Sequence, residues 1–322
     1  LSFENKNLAN SEIEDLIRYL AHSTVLNSLN LTRNRIDYTG IQSLTQLSNL
    51  TNLSLGCNNL GNTDSSSLSI LTRLSNLTAL DLRGNFLEFE EILFLTRLTQ
   101  LRSLDFLHNE IGPGGVLAVT QLTNLTSLKC SWGRIGLIAA QALLKLPNLT
   151  ELQLNGQPGD AAAKILAQGT WPRLIKLALG SFNLSDTGVQ MLAQANWPHL
   201  TSVDLQGNKM TEVGVQALVQ ANWPDLTELS LRGAKFGDTG AEALSQAKWP
   251  SLTLLDVGCN DFGDAGAEAL SRANWPSLTL LDVVCNDLGD TGIQALSRAN
   301  WPHLAKLIIG GKEISEIGIQ AL

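Results

Sequence analysis

Five aspartates, Asp81, Asp105, Asp204, Asp256 and Asp282, stand at one position of a recurring pattern. Carboxylates brought side by side are the raw material of cation binding and of acid–base catalysis. No His or Glu completes a ligand set beside them, so they read instead as a solvated acidic stripe. Cys259 and Cys285 also occupy equivalent positions, 26 residues apart. Two thiolates without further soft ligands fall short of a zinc site, and neighbouring parallel strands suit a disulfide poorly. The four histidines, His22, His108, His199 and His303, belong to different copies of the pattern, and the chain carries no GxSxG, P-loop or HExxH motif. The expectation is a protein that is not an enzyme and that holds no cofactor and no metal.

The spacing itself comes from the elements that carry these residues. Trp-Pro recurs six times, with tryptophan at 171, 197, 223, 249, 275 and 301, always 26 residues apart. A fixed period of this length marks a solenoid of one repeated supersecondary unit. The pattern L-x-x-L-x-L-x-x-N-x-L starts twelve times, at Leu26, Leu50, Leu77, Leu101, Leu125, Leu149, Leu174, Leu200, Leu226, Leu252, Leu278 and Leu304. A truncated copy (Leu1, Phe3, Leu8) precedes them, and the last copy stops in mid-helix. Both ends read as cut, which suggests a piece of a longer chain. Copies before Leu149 are 24–27 residues long and lack Trp-Pro. The stretch 150–174, with Gln157-Pro158-Gly159-Asp160 inside it, reads as a change of repeat subtype within a single domain spanning 1–322.

A typical copy runs Leu252-Thr-Leu-Leu255-Asp-Val257-Gly-Cys-Asn260-Asp-Phe262 and continues to Gly266-Ala-Glu-Ala-Leu270. The first part resembles the leucine-rich repeat. The second resembles the helical half of ribonuclease-inhibitor-like and GALA-type bacterial repeats, with related copies at 214–218, 240–244, 292–296 and 318–322. The resemblance implies an α/β leucine-rich-repeat solenoid and leaves activity almost open, because function is grafted onto such scaffolds.

Elementary physics leads to the same fold. L-x-L alternation makes a short strand with leucines on one face. The following dozen residues change to helical spacing. Asp238, Asp264 and Asp290 stand where a carboxylate caps a helix start, and Asn196, Asn222, Asn274 and Asn300 where a left-handed residue ends it. Identical units demand parallel strands roughly 4.8 Å apart, while helices are about 10 Å across. The array therefore curves into a horseshoe, with the parallel sheet on the concave face and helices on the convex face. The tryptophans then pack in the core, between a helix end and the next strand. The motif asparagines Asn34, Asn58, Asn85, Asn109, Asn208, Asn260 and Asn286 form an internal ladder, interrupted at Gly133, Gln157, Phe182, Ala234 and Lys312.

Candidate contact residues lie at outward positions of the strands. Trp132 is a large aromatic that no repeat requires, one repeat beyond His108 and close to Leu107, and aromatics at such positions are the usual hot spots. Asp105, Lys129, Glu151 and Lys176 surround it with mixed charge. A second group comprises Leu254, Leu280, Val284 and Ile308 beside Asp256 and Asp282, since exposed apolar residues on adjacent strands mark an interface.

Hydrophobic residues make up 44% of the 322, enough for a continuous core, and the net charge of −8 supplies no basic stripe for nucleic acid. No apolar run is long enough to span a membrane. The four cysteines form no terminal cluster, which favours a reducing compartment. The reading is a monomeric, cytoplasmic protein–protein recognition scaffold that binds a macromolecule on its concave face. The resemblance extends this to the target-recognition part of a bacterial effector inside a host cell. The alternatives are the recognition domain of a ubiquitin ligase or another enzyme whose catalytic domain is absent, and a receptor ectodomain.

Overall fold

The x-L-x core of each repeat folds as a strand of three to five residues, with its flanking residues facing away from a central leucine or valine that is buried in every strand but the last, where Leu307 is half-buried. The computed structural model describes residues 1–61, 67–131, 136–310 and residue 320. They fall into two compact units, Leu1–Asn155 and Gly156–Leu322. The division lies inside the 150–174 stretch where the repeat subtype changes. Residues 132–135 and 311–319, which hold Trp132, Gly133 and Lys312, lie outside the described residues, as do Ala321 and Leu322.

The first unit holds β1 (Ser28–Asn30), β2 (Asn52–Ser54), β3 (Ala79–Asp81), β4 (Ser103–Phe106), β5 (Ser127–Ser131) and β6 (Glu151–Asn155), paired in chain order and all parallel. Its helices are α1 (Asn10–Leu20), α2 (Tyr38–Gln42), α3 (Phe89–Leu95), α4 (Gly112–Val119) and α5 (Gly136–Leu143), with 3-10 turns at Ser43–Gln46 and Ser67–Arg73. The second unit alternates α6 (Gly159–Leu166), β7 (Lys176–Ala178), α7 (Asp186–Ala193), β8 (Ser202–Asp204), α8 (Glu212–Val219), β9 (Glu228–Ser230), α9 (Gly237–Ser245), β10 (Leu254–Asp256), α10 (Asp264–Ser271), β11 (Leu280–Asp282), α11 (Asp290–Ser297) and β12 (Lys306–Ile308). Its strands are again parallel and in chain order. This is the solenoid that the periodicity predicts.

The asparagine ladder is present in both units, and its geometry explains the motif. Asn85 Nδ2 donates to Leu82 O of its own turn and to Leu55 O of the turn before, both at 2.9 Å. Its Oδ1 accepts the backbone N–H of Asn58 at 3.2 Å. One buried amide thus satisfies backbone groups on two successive turns. Where Ala234 takes the motif position, the next asparagine still makes its usual bonds to that turn: Asn260 supplies Leu231 O and accepts from Ala234 N, both at 2.9 Å. Phe182, in the same position of its own repeat, is buried instead.

All six repeat tryptophans are buried. Trp171 stacks on Trp197 with ring centroids 5.8 Å apart, and Trp275 on Trp301 at 6.0 Å. Trp197 Nε1 donates to Gly169 O at 3.0 Å and Trp301 Nε1 to Ala273 O at 3.2 Å. They are core residues of the second unit.

Two local expectations need correction. Asp238 and Asp264 do not cap their own helices, because each sits inside the first turn and residues 236 and 263 occupy the cap positions. Their carboxylates reach forward instead: Asp238 Oδ1 accepts from Gly263 N (2.7 Å) and Gly266 N (2.9 Å), and Asp264 Oδ1 from Gly289 N (2.7 Å) and Gly292 N (2.9 Å). Asp186 does the same for Thr211 N and Gly214 N. Glycine is needed there, since a Cβ on Gly266 would meet Asp238 Oδ1 at 2.8 Å. Asn196, Asn222, Asn274 and Asn300 are not left-handed. The left-handed residues precede the motif asparagine instead, as at Arg33, Cys57, Gly84, His108, Cys259 and Cys285.

Asn260→Ala removes one amide that serves two turns. It is expected to lower the unfolding free energy by roughly 1–3 kcal/mol, since a buried group is left unpaired. Chemical denaturation reads this as a lower midpoint; an unchanged midpoint would show that the turn does not rely on this side chain.

Candidate functional site

In the first unit, residues flanking the buried leucines line the open face of β1–β6. They form a shallow, polar groove of about 280 Å³, walled by Ser54, Asp81, Ser103, Asp105, Lys129 and Glu151 among others. The strand register sets Asp81 beside Asp105 and Asp105 beside Lys129. Lys129 Nζ lies 3.0 Å from Glu151 Oε1, and Ser127 Oγ donates to Glu151 Oε2 at 2.7 Å. Arg83 Nε lies 3.3 Å from Asp81 Oδ2. Asp105 Oδ1 accepts the N–H of Leu107 at 3.1 Å, and among the described residues no cation stands within ion-pairing distance of Asp105.

Burial, first, raises the pKa of both aspartates. The Arg83 amide opposes this at Asp81 and the Leu107 amide at Asp105, the charges of Arg83 and Lys129 oppose it at both, and repulsion from Asp105 and from Glu151, respectively, adds to it. His108 is exposed, and its backbone N–H donates to Ser131 Oγ at 2.6 Å. Leu107 is 7% exposed, so its side chain packs inward and offers almost no surface. Trp132 lies outside the described residues.

The open face of the second unit is organised by a residue that the sequence pattern did not single out. Arg232 follows β9 and reaches across the next two strands. Its Nε lies 2.9 Å from Asp256 Oδ2, its Nη2 2.5 Å from Asp282 Oδ2 and its Nη1 3.8 Å from Cys259 Sγ. The hydrogen bond to Asp256, first, holds the Arg232 pKa up, and the charges of both aspartates add to it against partial burial. Asp256 and Asp282 are thus the two arms of an ion-paired bridge, with Asp282 only 9% exposed. The signal in the sequence is Ser230. It stands where neighbouring repeats carry Asp, so Arg232 lacks a carboxylate in its own repeat, whereas Arg83 has Asp81. Gly258 leaves the room, because a Cβ there would meet the guanidinium at 2.8 Å. Leu254, Leu280, Val284 and Ile308 are half-buried on this face, and Lys176 is exposed on β7.

A further feature escaped the sequence reading. Phe89, Leu93, Leu117, Leu137 and Ile138 are exposed on α3, α4 and α5 of the first unit, and α4 and α5 carry no charged residue. Among the described residues no group of three or more His, Cys, Asp or Glu could hold a metal ion, and no helix is long and apolar enough to cross a membrane.

Six stretches of the chain, 22–44, 97–119, 198–219, 224–245, 250–271 and 276–297, match the family model described as Leucine Rich repeat. Among solved structures, the chain is similar to an internalin of Listeria monocytogenes, 20% identical over 99% of this chain and 94% of that one, with a TM-score of 0.60. A chain of the yeast Rad7–Elc1 complex is 19% identical over 96% and 85%, with a TM-score of 0.64. The leucine-rich-repeat ectodomain of the Arabidopsis thaliana receptor kinase GASSHO1/SCHENGEN3 is 22% identical over 97% of this chain and 35% of that one, with a TM-score of 0.51. No curated protein sequence matches the chain. Together with the repeat ladder and the parallel strands, these matches make the chain a leucine-rich-repeat protein. At these identities the likeness to solved structures is one of fold.

The raised aspartate values have a consequence for stability. A carboxyl that is easier to protonate when folded contributes stability that is full below its unfolded value, near 3.8, and is lost as pH rises through its folded value. Asp105→Asn keeps an oxygen for the Leu107 N–H and removes the charge. It is expected to raise the thermal midpoint at neutral pH and to give a shrinking advantage as pH falls toward the ordinary aspartate value. Thermal scans at both pH values check this, and an advantage that does not shrink would remove the role assigned to the desolvated charge.

Proposed function

We propose that this protein is a non-catalytic recognition scaffold, and that the open face of β2–β6 seats a protein segment through its basic side chains. The observation that carries the reading is the pair Asp81 and Asp105. Two carboxylates stand on adjacent strands in a polar groove, both desolvated, with Asp105 lacking an ion partner among the described residues. An arginine or lysine delivered by a partner offsets that desolvation, and the net charge of −8 favours its approach. Lys129 and Glu151 flank the pair, with His108 exposed one turn away, and Trp132 belongs to the same surface on sequence grounds alone.

The half-buried apolar group Leu254, Leu280, Val284 and Ile308, beside Asp256 and Asp282, and Lys176 form further parts of the proposed contact surface. The fold supports the reading, since the yeast structure is a complex of Rad7 with Elc1 and the plant ectodomain was solved with CASPARIAN STRIP INTEGRITY FACTOR 2. A reducing, cytoplasmic setting is supported by four free cysteines, two of them exposed. The finer reading, a recognition part of a bacterial effector, rests on the GALA-like helical motif.

Peptide display against the intact chain tests the site. Selected peptides are expected to be enriched in Arg and Lys, and the enrichment is expected to vanish with Asp81→Asn/Asp105→Asn. Selection of acidic or uncharged peptides, or equal selection by the variant, would remove this face as the basic-partner site.

A further inference from the structure

Cys259 and Cys285 stand at the left-handed position that follows their strands, one turn apart in the second unit. Both have φ of 56°, so their side chains leave the backbone in the same direction. The parallel register of β10 and β11 brings them together, with Leu254 beside Leu280 and Asp256 beside Asp282. The Cys259 N–H donates to Val284 O at 2.8 Å, which carries the register through to the turn. Neighbouring strands lie about 4.8 Å apart, inside the roughly 4.4–6.8 Å between Cα atoms that a disulfide accepts, and closure draws the Cβ atoms of the two turns together to roughly 3.5–4.5 Å. Burial, first, and the neighbouring Cys285 thiol push the Cys259 thiol up, and the Arg232 guanidinium, whose Nη1 stands 3.8 Å from Cys259 Sγ, opposes them. The sequence-based objection to a disulfide on parallel strands applies less strongly here, because the turn, not the strand, carries the cysteines.

We infer that Cys259 and Cys285 form a redox-active dithiol that closes to an internal disulfide by exchange with a low-molecular-weight disulfide such as glutathione disulfide. Cys285 is the exposed member and Cys259 is half-buried, so Cys285 reacts first. Its thiolate attacks one sulfur of glutathione disulfide, that S–S bond breaks, and one glutathione thiolate leaves. The Cys259 thiolate, forming beside the Arg232 guanidinium, then attacks the Cys285 sulfur of the mixed disulfide. The internal S–S bond forms and the second glutathione thiolate leaves. The protein gives up two electrons and two protons, and the disulfide is reduced to two molecules of glutathione. Closure joins two turns of the face that Arg232 bridges.

The chain carries its own controls. Cys57 is exposed and occupies the same left-handed position in the first unit, but with glycine (Gly84) in the next turn instead of a second thiol. Cys130 is buried, which pushes its thiol up to about 12, so its resistance to alkylation reports that the fold is intact. The reduced, intact chain is treated with glutathione disulfide at a concentration raised until Cys57 is fully glutathionylated. It is then quenched with N-ethylmaleimide, digested with trypsin and read by mass spectrometry. Cleavage after Lys248, Arg272 and Arg298 places the two cysteines on separate peptides, 249–272 and 273–298.

The expected result is these two peptides joined, with a mass lower by two hydrogens and no glutathione on Cys285. Cys259→Ser is expected to leave glutathione stably on Cys285. Persistent glutathione on Cys285 in the wild-type chain, or alkylation of both cysteines while Cys57 is fully converted, would overturn the assignment.

Discussion

Each repeat must turn its chain sharply out of a strand while the backbone of that turn is buried against the next copy. Buried N–H and C=O groups without partners are costly, and the motif asparagine is the device that supplies those partners. Its amide donates to carbonyls on its own turn and on the one before, and its carbonyl accepts an N–H from the previous turn. For the asparagine to point inward, the residue before it takes a left-handed conformation. That residue's side chain is thereby presented at the edge of the open face. Arg33, Cys57, His108, Cys259 and Cys285 all occupy this position, so a structural demand of the core decides which side chains reach the surface.

Much of this was legible in the sequence because the repeat states each rule many times. Strand positions, the buried tryptophans and the asparagine ladder follow from periodicity and residue type. Less legible was anything in which one turn acts on the next. Asp238 and Asp264 are ordinary cap residues when a single repeat is considered, yet their carboxylates serve the helix that follows. Arg232 is an unremarked charge until Ser230 is seen to withhold its local carboxylate and the guanidinium crosses two strands. The inward packing of Leu107 likewise depends on a turn geometry that the alternation of a strand does not specify.

The open faces of the two units differ in how they manage their carboxylates. In the second unit Arg232 bridges Asp256 and Asp282, one cation shared between two carboxylates, with two thiols at the margin of that face. In the first unit Lys129 is engaged with Glu151 and Arg83 with Asp81. That leaves Asp105 as a desolvated charge in a groove. The same strand position is therefore ion-paired at Asp81, Asp256 and Asp282, while at Asp105 and at Asp204 of the second unit a desolvated carboxylate has no ion partner among the described residues.

The forward-reaching aspartates give the second unit a property of a different kind. Because Asp186, Asp238 and Asp264 each complete the helix of the following copy through the same atoms, these three junctions present the same donor and acceptor ends. Excision of 239–264, one 26-residue period, would set Asp238 against Gly289 and Gly292 with the contact unchanged in kind. Gain or loss of whole copies is therefore a mild structural event for this array. What such an event removes is the singular residues, here Asp256 and Cys259, so the length of the scaffold and the chemistry displayed on it are free to change separately.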